Sequence, residues 1–247
     1  MKTIFLSDLH LGANYISDHH AHEKKICRFL LENASDADQI YLLGDILDYW
    51  YEYKYVVPRG FVRFFGTLAS LADKGVKITW LTGNHDIWLF DYLKNEIGIE
   101  VIDASSIERR ISGKLFVMAH GDRIGSSNLS FKVICRLFRS KVCQRLFASI
   151  HPRWTVPFAH RWSSNSRYSH QLIDNEESEH RKLIIEDAHT LLKAYPDANY
   201  IILGHHHVAL EENLAGSKAI VMVLGDWIEN FTYAVFDGQN LELKRAL

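Results

Sequence analysis

The chain has 247 residues, 47% of them hydrophobic and 23% charged, with a formal net charge of −2. This is the balance of an ordinary globular protein, long enough to bury a full core without disulfides. It excludes the global basic field of a nucleic-acid binder, and the absence of any run of eighteen apolar residues excludes a membrane-crossing helix.

The opening MKTIFLSDLHLG interrupts its short apolar run at Ser7 and Asp8, too early for a secretory leader. A cytoplasmic protein is therefore expected. Residues 3–8 read as a buried strand, and 19–34 as a helix with Ile26, Phe29 and Leu30 on one face. A second buried strand covers 39–45. An amphipathic helix over 60–75 is closed by Gly75, and a third strand follows at 76–84. Residues 87–97 predict a short helix, 114–122 a strand, 174–195 a long helix and 199–205 another buried strand. From 219 onward the pattern is of strands in hairpins. Strands alternating with helices make this an α/β protein with a mostly buried sheet, and the strand-rich last third suggests a second sheet packed on the first.

One segment breaks the rhythm. Residues 124–170 hold no strand pattern, and they mix Phe131, Val133, Ile134, Leu137, Phe138, Val142, Leu146, Phe147 and Ile150 with Lys132, Arg136, Arg139, Lys141, Arg145 and Arg153. We read a helical insertion over the strand ends, within a single domain spanning 1–247. It is either an ordinary helical hairpin or an apolar, basic-rimmed lid for an amphiphilic anion or a membrane surface. Cys27, Cys135 and Cys143 have no paired pattern and read as buried or half-buried free thiols.

Each buried strand before the final hairpins ends in metal-ligand residue types. The ends are Asp8 and His10 in DLH, Asp45 and Asp48 in GDILD, and Asn84, His85 and Asp86 in GNHD. They continue with His120 and Asp122 in HGD, and His205, His206 and His207 in GHHH. Open α/β sheets bind ligands beyond the carboxyl ends of their strands, so five strand ends aim oxygen and nitrogen at one place. Carboxylate, imidazole and amide oxygen suit borderline divalent ions such as Mn, Fe or Zn. One ion does not need so many ligands. Two ions about 3.5–4 Å apart do, and such a pair activates water and clamps a phosphoryl group. His205 and His207 alternate along what reads as an extended chain and so point to one side. His206 points away, as a packing or supporting residue.

Taken together, DLH, GDILD, GNHD, HGD and GHHH resemble the signature of the calcineurin-like metallophosphoesterases, over about residues 3–226. The resemblance implies a four-layer α/β sandwich of two mixed β-sheets flanked by helices. It implies two divalent metal ions, of which manganese is expected and iron or zinc would also fit. Asp8, His10, Asp45 and His207 would hold one ion, and Asp45, Asn84, His120 and His205 the other, with Asp45 bridging. His85 would act on the substrate phosphate or as general acid, oriented by Asp86. Asp48 and Asp122 read as capping or supporting carboxylates.

Within that superfamily the chain is similar to the UDP-2,3-diacylglucosamine pyrophosphohydrolases of lipid A synthesis, in FLSDLHLG, in YLLGDILDYW and in an insertion ending RWSSNSRYSH. That implies hydrolysis to UMP and 2,3-diacylglucosamine 1-phosphate. It also implies an amphiphilic nucleotide-lipid substrate and a peripheral position on the inner face of the cytoplasmic membrane. Asn165, Ser166 and Arg167 match a substrate-contacting run, and Arg161 is a candidate phosphate contact beside Asn84 and His85. Two positions depart from the better-known members. His85 stands where they carry arginine, and Asp226 where they carry a small residue. The alternative is another nucleotide, phosphodiester or phosphomonoester as substrate.

Overall fold

The computed structural model describes residues 1–125, 129–159 and 177–246. β1 (Thr3–Leu6), β2 (Gln39–Leu43), β3 (Lys77–Leu81) and β4 (Glu100–Ile102) lie side by side and parallel. β5 (Ile107–Ile111) and β6 (Lys114–Ala119) form a hairpin in a second sheet. There β6 runs parallel to β7 (Tyr200–Leu203), and β7 parallel to β9 (Ile220–Leu224). β8 (Ala209–Asn213) closes the second sheet antiparallel to β9. β10 (Thr232–Phe236) and β11 (Leu241–Arg245) return to the first sheet, in the order β11-β10-β1-β2-β3-β4. The expected second sheet is present, but the last two strands complete the first.

The central strands are apolar on both faces because both faces are covered. Phe5, Tyr41, Leu43 and Leu81 of one sheet meet Phe116, Met118, Ile202 and Met222 of the other. Outside the first sheet lie α1 (His19–Asn33), α2 (Val62–Asp73) and α3 (Tyr92–Ile97), with Ile26, Phe29, Leu30, Phe64, Leu68 and Leu93 facing in. The outer face of the second sheet is covered by the helix from Glu177 to Ala194 through Ile184, Ala188 and Leu191. The result is four layers, two sheets between helices. Among the described residues, no helix is long and apolar enough to cross a membrane.

One expectation is corrected by local chemistry. The helix expected over 87–97 starts only at Tyr92. Trp88 bridges to Tyr51 instead, and the buried Glu52 carboxylate accepts the amides of Phe90, Asp91 and Tyr92 at 2.6, 2.8 and 3.2 Å. That satisfies the orphan donors at the helix start and fixes it there. The short or polar strands β4, β5 and β8 escape the sequence pattern. β8 reads Ala-Leu-Glu-Glu-Asn and sits at a sheet edge, largely in water.

The insertion is helical as expected where it is described. α4 (Leu129–Arg139), α5 (Lys141–Ala148) and α6 (152–159) dock on the strand-end side of the molecule. Phe138, Phe147, Val156 and Ala159 pack on Tyr49, Tyr51, Ile87 and Trp88. Trp88 Nε1 donates to the Phe138 carbonyl at 2.9 Å, and the Tyr51 hydroxyl to that of Gln144 at 2.6 Å. The helix Glu177–Ala194 is therefore α7.

Phe116 is fully buried between the sheets, with ring centroids 5.6 Å from Phe5, 4.8 Å from Tyr200 and 4.9 Å from Phe236. Phe116→Ala is expected to cost about 3–5 kcal/mol. Urea unfolding should show this as a lower midpoint at unchanged slope, and an unchanged midpoint would contradict the packing.

Candidate metal centre

The parallel strands of both sheets end at the same edge. β1 delivers Asp8 and His10, β2 Asp45, β3 Asn84 and His85, β6 His120, and β7 His205 and His207. Their ligand atoms form three groups, each within 4.8 Å: Asp8, His10 and His207; His10, Asp45 and His85; and Asp45, His120 and His205. Asp45 Oδ2 lies 3.3 Å from His120 Nε2, 3.7 Å from His85 Nε2 and 3.9 Å from His10 Nε2. Asp8 Oδ1 lies 3.6 Å from His207 Nε2 and 3.8 Å from His10 Nε2. Asn84 Oδ1 joins at 3.2 Å from His120 Nε2. Ligands bonded at about 2.0–2.2 Å stand about 3–3.5 Å apart around an ion, so these spacings are at or slightly above what a cation needs.

Each aspartate divides its oxygens between the protein and the cage. Asp8 Oδ2 accepts from the Ser7 hydroxyl and from His205 N at 2.9 Å. Among the described residues, neither the buried Asp8 Oδ1 nor the buried His10 Nε2 has a hydrogen-bond partner. Asp45 Oδ1 accepts from His85 N at 2.9 Å, leaving Oδ2 to face the imidazoles. Buried polar atoms left unpaired are costly, and here two of them converge where an ion fits.

The imidazoles are oriented by their other nitrogen. His10 Nδ1 meets Asp48 Oδ1 at 3.2 Å, His120 Nδ1 the Leu43 carbonyl at 2.9 Å, and His207 Nδ1 Asp226 Oδ2 at 3.2 Å. Such partners fix tautomer and ring orientation and raise ligand basicity. Asp48 thus stands behind His10, where a supporting carboxylate is expected. Asp226 was legible only as a departure, although LGD repeats the glycine-then-ligand pattern at the end of β9. Its Oδ1 is held by the amides of Ile228, Glu229 and Asn230 at 3.1, 2.8 and 3.0 Å.

Two further readings are corrected. Asp86 does not orient His85. Its fully buried carboxylate accepts from Ile46 N, Trp80 Nε1 and Gly83 N at 3.0, 3.1 and 2.7 Å, bracing the β2 and β3 loops together. His85 Nδ1 instead meets the Asp48 carbonyl at 3.2 Å and Asp48 Oδ1 at 3.5 Å. The histidine run is also not extended. His205 and His207 both have left-handed backbones, φ 68° and 53°, and this turn brings both rings to the cage. His206 does point away, with Nδ1 3.3 Å from His180 Nε2 and Nε2 3.7 Å from Asp187 on α7.

Asp8, His10 and Asp45 are left-handed as well, so five of the eight described non-glycine residues with positive φ are candidate ligands. That conformation costs roughly 1–2 kcal/mol per ordinary residue, a concentration of strain expected at a functional site. The glycines before the ligands are needed for close approach. A Cβ on Gly83 would stand 2.1 Å from Asp45 Oδ1, and one on Gly204 2.0 Å from Ser7 Oγ.

Beside the cage lies an apolar cavity of about 120 Å³, several times the room one water needs. Its wall includes Asn84, His85, Ile87, Trp88, Phe138, Phe147 and Phe158. Arg161, Asn165, Ser166 and Arg167 lie outside the described residues. Asp122 faces Arg139 and Arg123 and takes no part in the cage. The cysteines are free, Cys27 and Cys135 buried and Cys143 half-buried.

Residues 1–209 match the calcineurin-like phosphoesterase family, and the chain belongs to it. It is a metal-dependent hydrolase working with divalent ions. The chain is 39% identical over 259 residues to a UDP-2,3-diacylglucosamine hydrolase of Porphyromonas gingivalis, covering 98% of this chain and 97% of that one. It is 26% identical to the enzyme of that name from Serratia proteamaculans, with 92% and 91% covered. A solved structure of an archaeal phosphodiesterase aligns over 99% of both chains at 15% identity and a TM-score of 0.47.

Burial alone would lower the His10 and His120 imidazoles. The carboxylates of Asp48 and Asp8 around the first, and of Asp45 around the second, overcome it and raise both to about 10. Burial works to raise Asp8 and Asp45, and the facing imidazoles hold both below the ordinary carboxylate range. Raised imidazoles carry protons at pH 7, so metal uptake must release them and binding must tighten as pH rises toward 10. Calorimetric titration of Mn at pH 7.5 in two buffers of different ionisation enthalpy should report net proton release. Equal apparent heats in the two buffers would contradict the prediction.

Proposed function

We propose that the chain hydrolyses the pyrophosphate of UDP-2,3-diacylglucosamine to UMP and 2,3-diacylglucosamine 1-phosphate. The observation that carries this reading is the junction of two features. Seven carboxylate and imidazole side chains, with Asp45 common to two of their three groups, stand beside an apolar cavity under the insertion helices. A substrate with a diphosphate next to two acyl chains matches both. The relatives of that name at 39% and 26% identity support the substrate.

In this reading Asp8, His10, Asp45 and His207 hold one ion, and Asp45, Asn84, His120 and His205 the other, with manganese the preferred metal. When bound, two such ions activate water and neutralise charge on the phosphoryl oxygens. The chain's own residues do the positioning. His85 donates Nδ1–H to the Asp48 carbonyl, so its Nε2 is presented to a phosphate oxygen and can hold or give a proton there. Asp86 contributes by locking the loops that carry Asp45 and Asn84. Ile87, Trp88, Phe138 and Phe147 exclude water from the side that receives acyl chain. Arg161, Asn165, Ser166 and Arg167 are retained as substrate contacts of the insertion, which we read as a lid within one domain.

The insertion also meets the membrane from which the substrate comes. Each helix shows water an apolar pair at i, i+4: Val133 and Leu137, Val142 and Leu146, Trp154 and Phe158. Arg136, Lys141, Arg145 and Arg153 are exposed among them. Apolar residues with basic neighbours suit an anionic leaflet, and this supports a peripheral position on the inner face of the cytoplasmic membrane.

Two experiments test this. Asp45→Ala should lose both ions and all UMP release, whereas His85→Ala should keep its metal content and lose about 10²-fold in kcat. Metal analysis and chromatographic UMP assay read both, and near-wild-type turnover in either variant would remove that residue from the site. Second, Leu146→Glu with Trp154→Glu should abolish co-sedimentation with phosphatidylglycerol vesicles. Undiminished sedimentation would contradict the membrane face.

A further inference from the structure

Arg139 ends α4 where the insertion meets the β3 loop. Its side chain is 14% exposed and stands in the cavity wall with Asp48, Asn84 and His85. Among the described residues that line this cavity it is the one permanently charged cation. Two parts of its guanidinium are committed to the protein. Nε donates to Asp103 Oδ1 at 3.1 Å, and Nη2 donates to the Gly83 carbonyl at 3.1 Å and faces Asp122 Oδ2 at 3.5 Å. Nη1 is buried and has no hydrogen-bond partner among the described residues. The neighbouring Cys135 thiol, which burial keeps protonated, offers only a weak acceptor. A guanidinium fixed on one edge by two carboxylates and a carbonyl, with the other edge free and buried, is preorganised for an anion.

We propose that Arg139 is a substrate-binding residue, its free Nη1 edge holding the sugar-side phosphate of a diphosphate substrate. The proposal rests on the reading above. That reading puts the acyl portion in the cavity, and here the nucleotide-side phosphorus is taken as the one that lies at the cage. The phosphate joining them must then pass along Asn84, His85 and Arg139. In the reaction, oxygen from water bonds to the nucleotide-side phosphorus and the bond from that phosphorus to the bridging oxygen breaks. The electron pair stays on the bridging oxygen, now part of the sugar 1-phosphate. The two protons of water are shared between the products, leaving two phosphomonoesters. Negative charge thus accumulates on the phosphate that Arg139 holds, where a preorganised donor lowers the barrier. The bridge to the Gly83 carbonyl couples this contact to Asn84, the next residue in the chain.

The test separates a diphosphate contact from a mere strut. Mn-loaded protein hydrolysing bis(p-nitrophenyl) phosphate is inhibited with UDP-glucose and, separately, with UMP. The wild type should favour UDP-glucose by about tenfold in inhibition constant. Arg139→Met should lose that preference, and Arg139→Lys, which keeps charge without the fork, should keep part of it. Arg123→Met removes the other arginine paired to Asp103 and Asp122 and should leave the preference intact. Metal content and melting temperature are measured on every variant. An unchanged preference in Arg139→Met, an equal weakening of both inhibitors, or no preference in the wild type would each overturn the proposal. UDP-2,3-diacylglucosamine turnover is assayed in parallel. Its absence in the wild type would overturn the substrate assignment, while the inhibition ratio still decides the role of Arg139.

Discussion

Asp8 and Asp45 are carboxylates buried side by side at the ends of neighbouring strands, and each raises the cost of ionising the other. Everything around them answers that repulsion. Ser7, His205 N and His85 N neutralise one oxygen of each by hydrogen bonding, and four imidazoles surround the other oxygens. A buried like-charge pair persists only where opposite charge and donors outweigh desolvation. Divalent cations supply the most compact form of that charge, which is why the cage and the family's chemistry coincide.

The cost of building the cage is spread through the fold. Parallel strands from two sheets must end at one edge, and five ligands must adopt a left-handed backbone to turn inward. The sheets restrain this strain. His10 N and Leu11 N are bonded to the Asp45 and Ile46 carbonyls at 3.0 Å, so the β1 and β2 loops continue the ladder past the strands. Trp227 N bonds the Asp8 carbonyl at 3.1 Å and ties the loop after β9 to the same point. Asp86, buried under the β2 and β3 loops, completes the clamp, and burial, with Asp45 adding to it, pushes its carboxyl up to about 6. Charge at the cage and strain in the loops are thus one problem with one solution.

The insertion gives this centre its second character. The aromatic floor of Tyr49, Tyr51 and Trp88 belongs to the loops that follow β2 and β3, the same loops that carry Asp45 and His85. Packing of Phe138 and Phe147 on that floor fixes an apolar cavity against the cage. Polar chemistry and apolar recognition therefore share a wall, with His85 and Arg139 at the junction.

The sequence by itself determined the alternation of strand and helix, the buried strands and the ligand types that end them. Apolar runs bounded by glycine and a carboxylate or histidine have few ways to fold. It also pointed to a metal centre, because seven such residues at five strand ends serve no packing need. The tertiary structure alone decided which second nitrogen or oxygen each ligand uses. Asp226 could be found only by seeing His207 turn toward it, and Asp86 could be separated from His85 only by seeing it bond Trp80 and Ile46. The left-handed turns at His205 and His207 and the free edge of Arg139 were equally illegible. They depend on contacts between residues tens to hundreds of positions apart. A one-dimensional pattern records what each residue can do, and the packing of the two sheets decides what it meets.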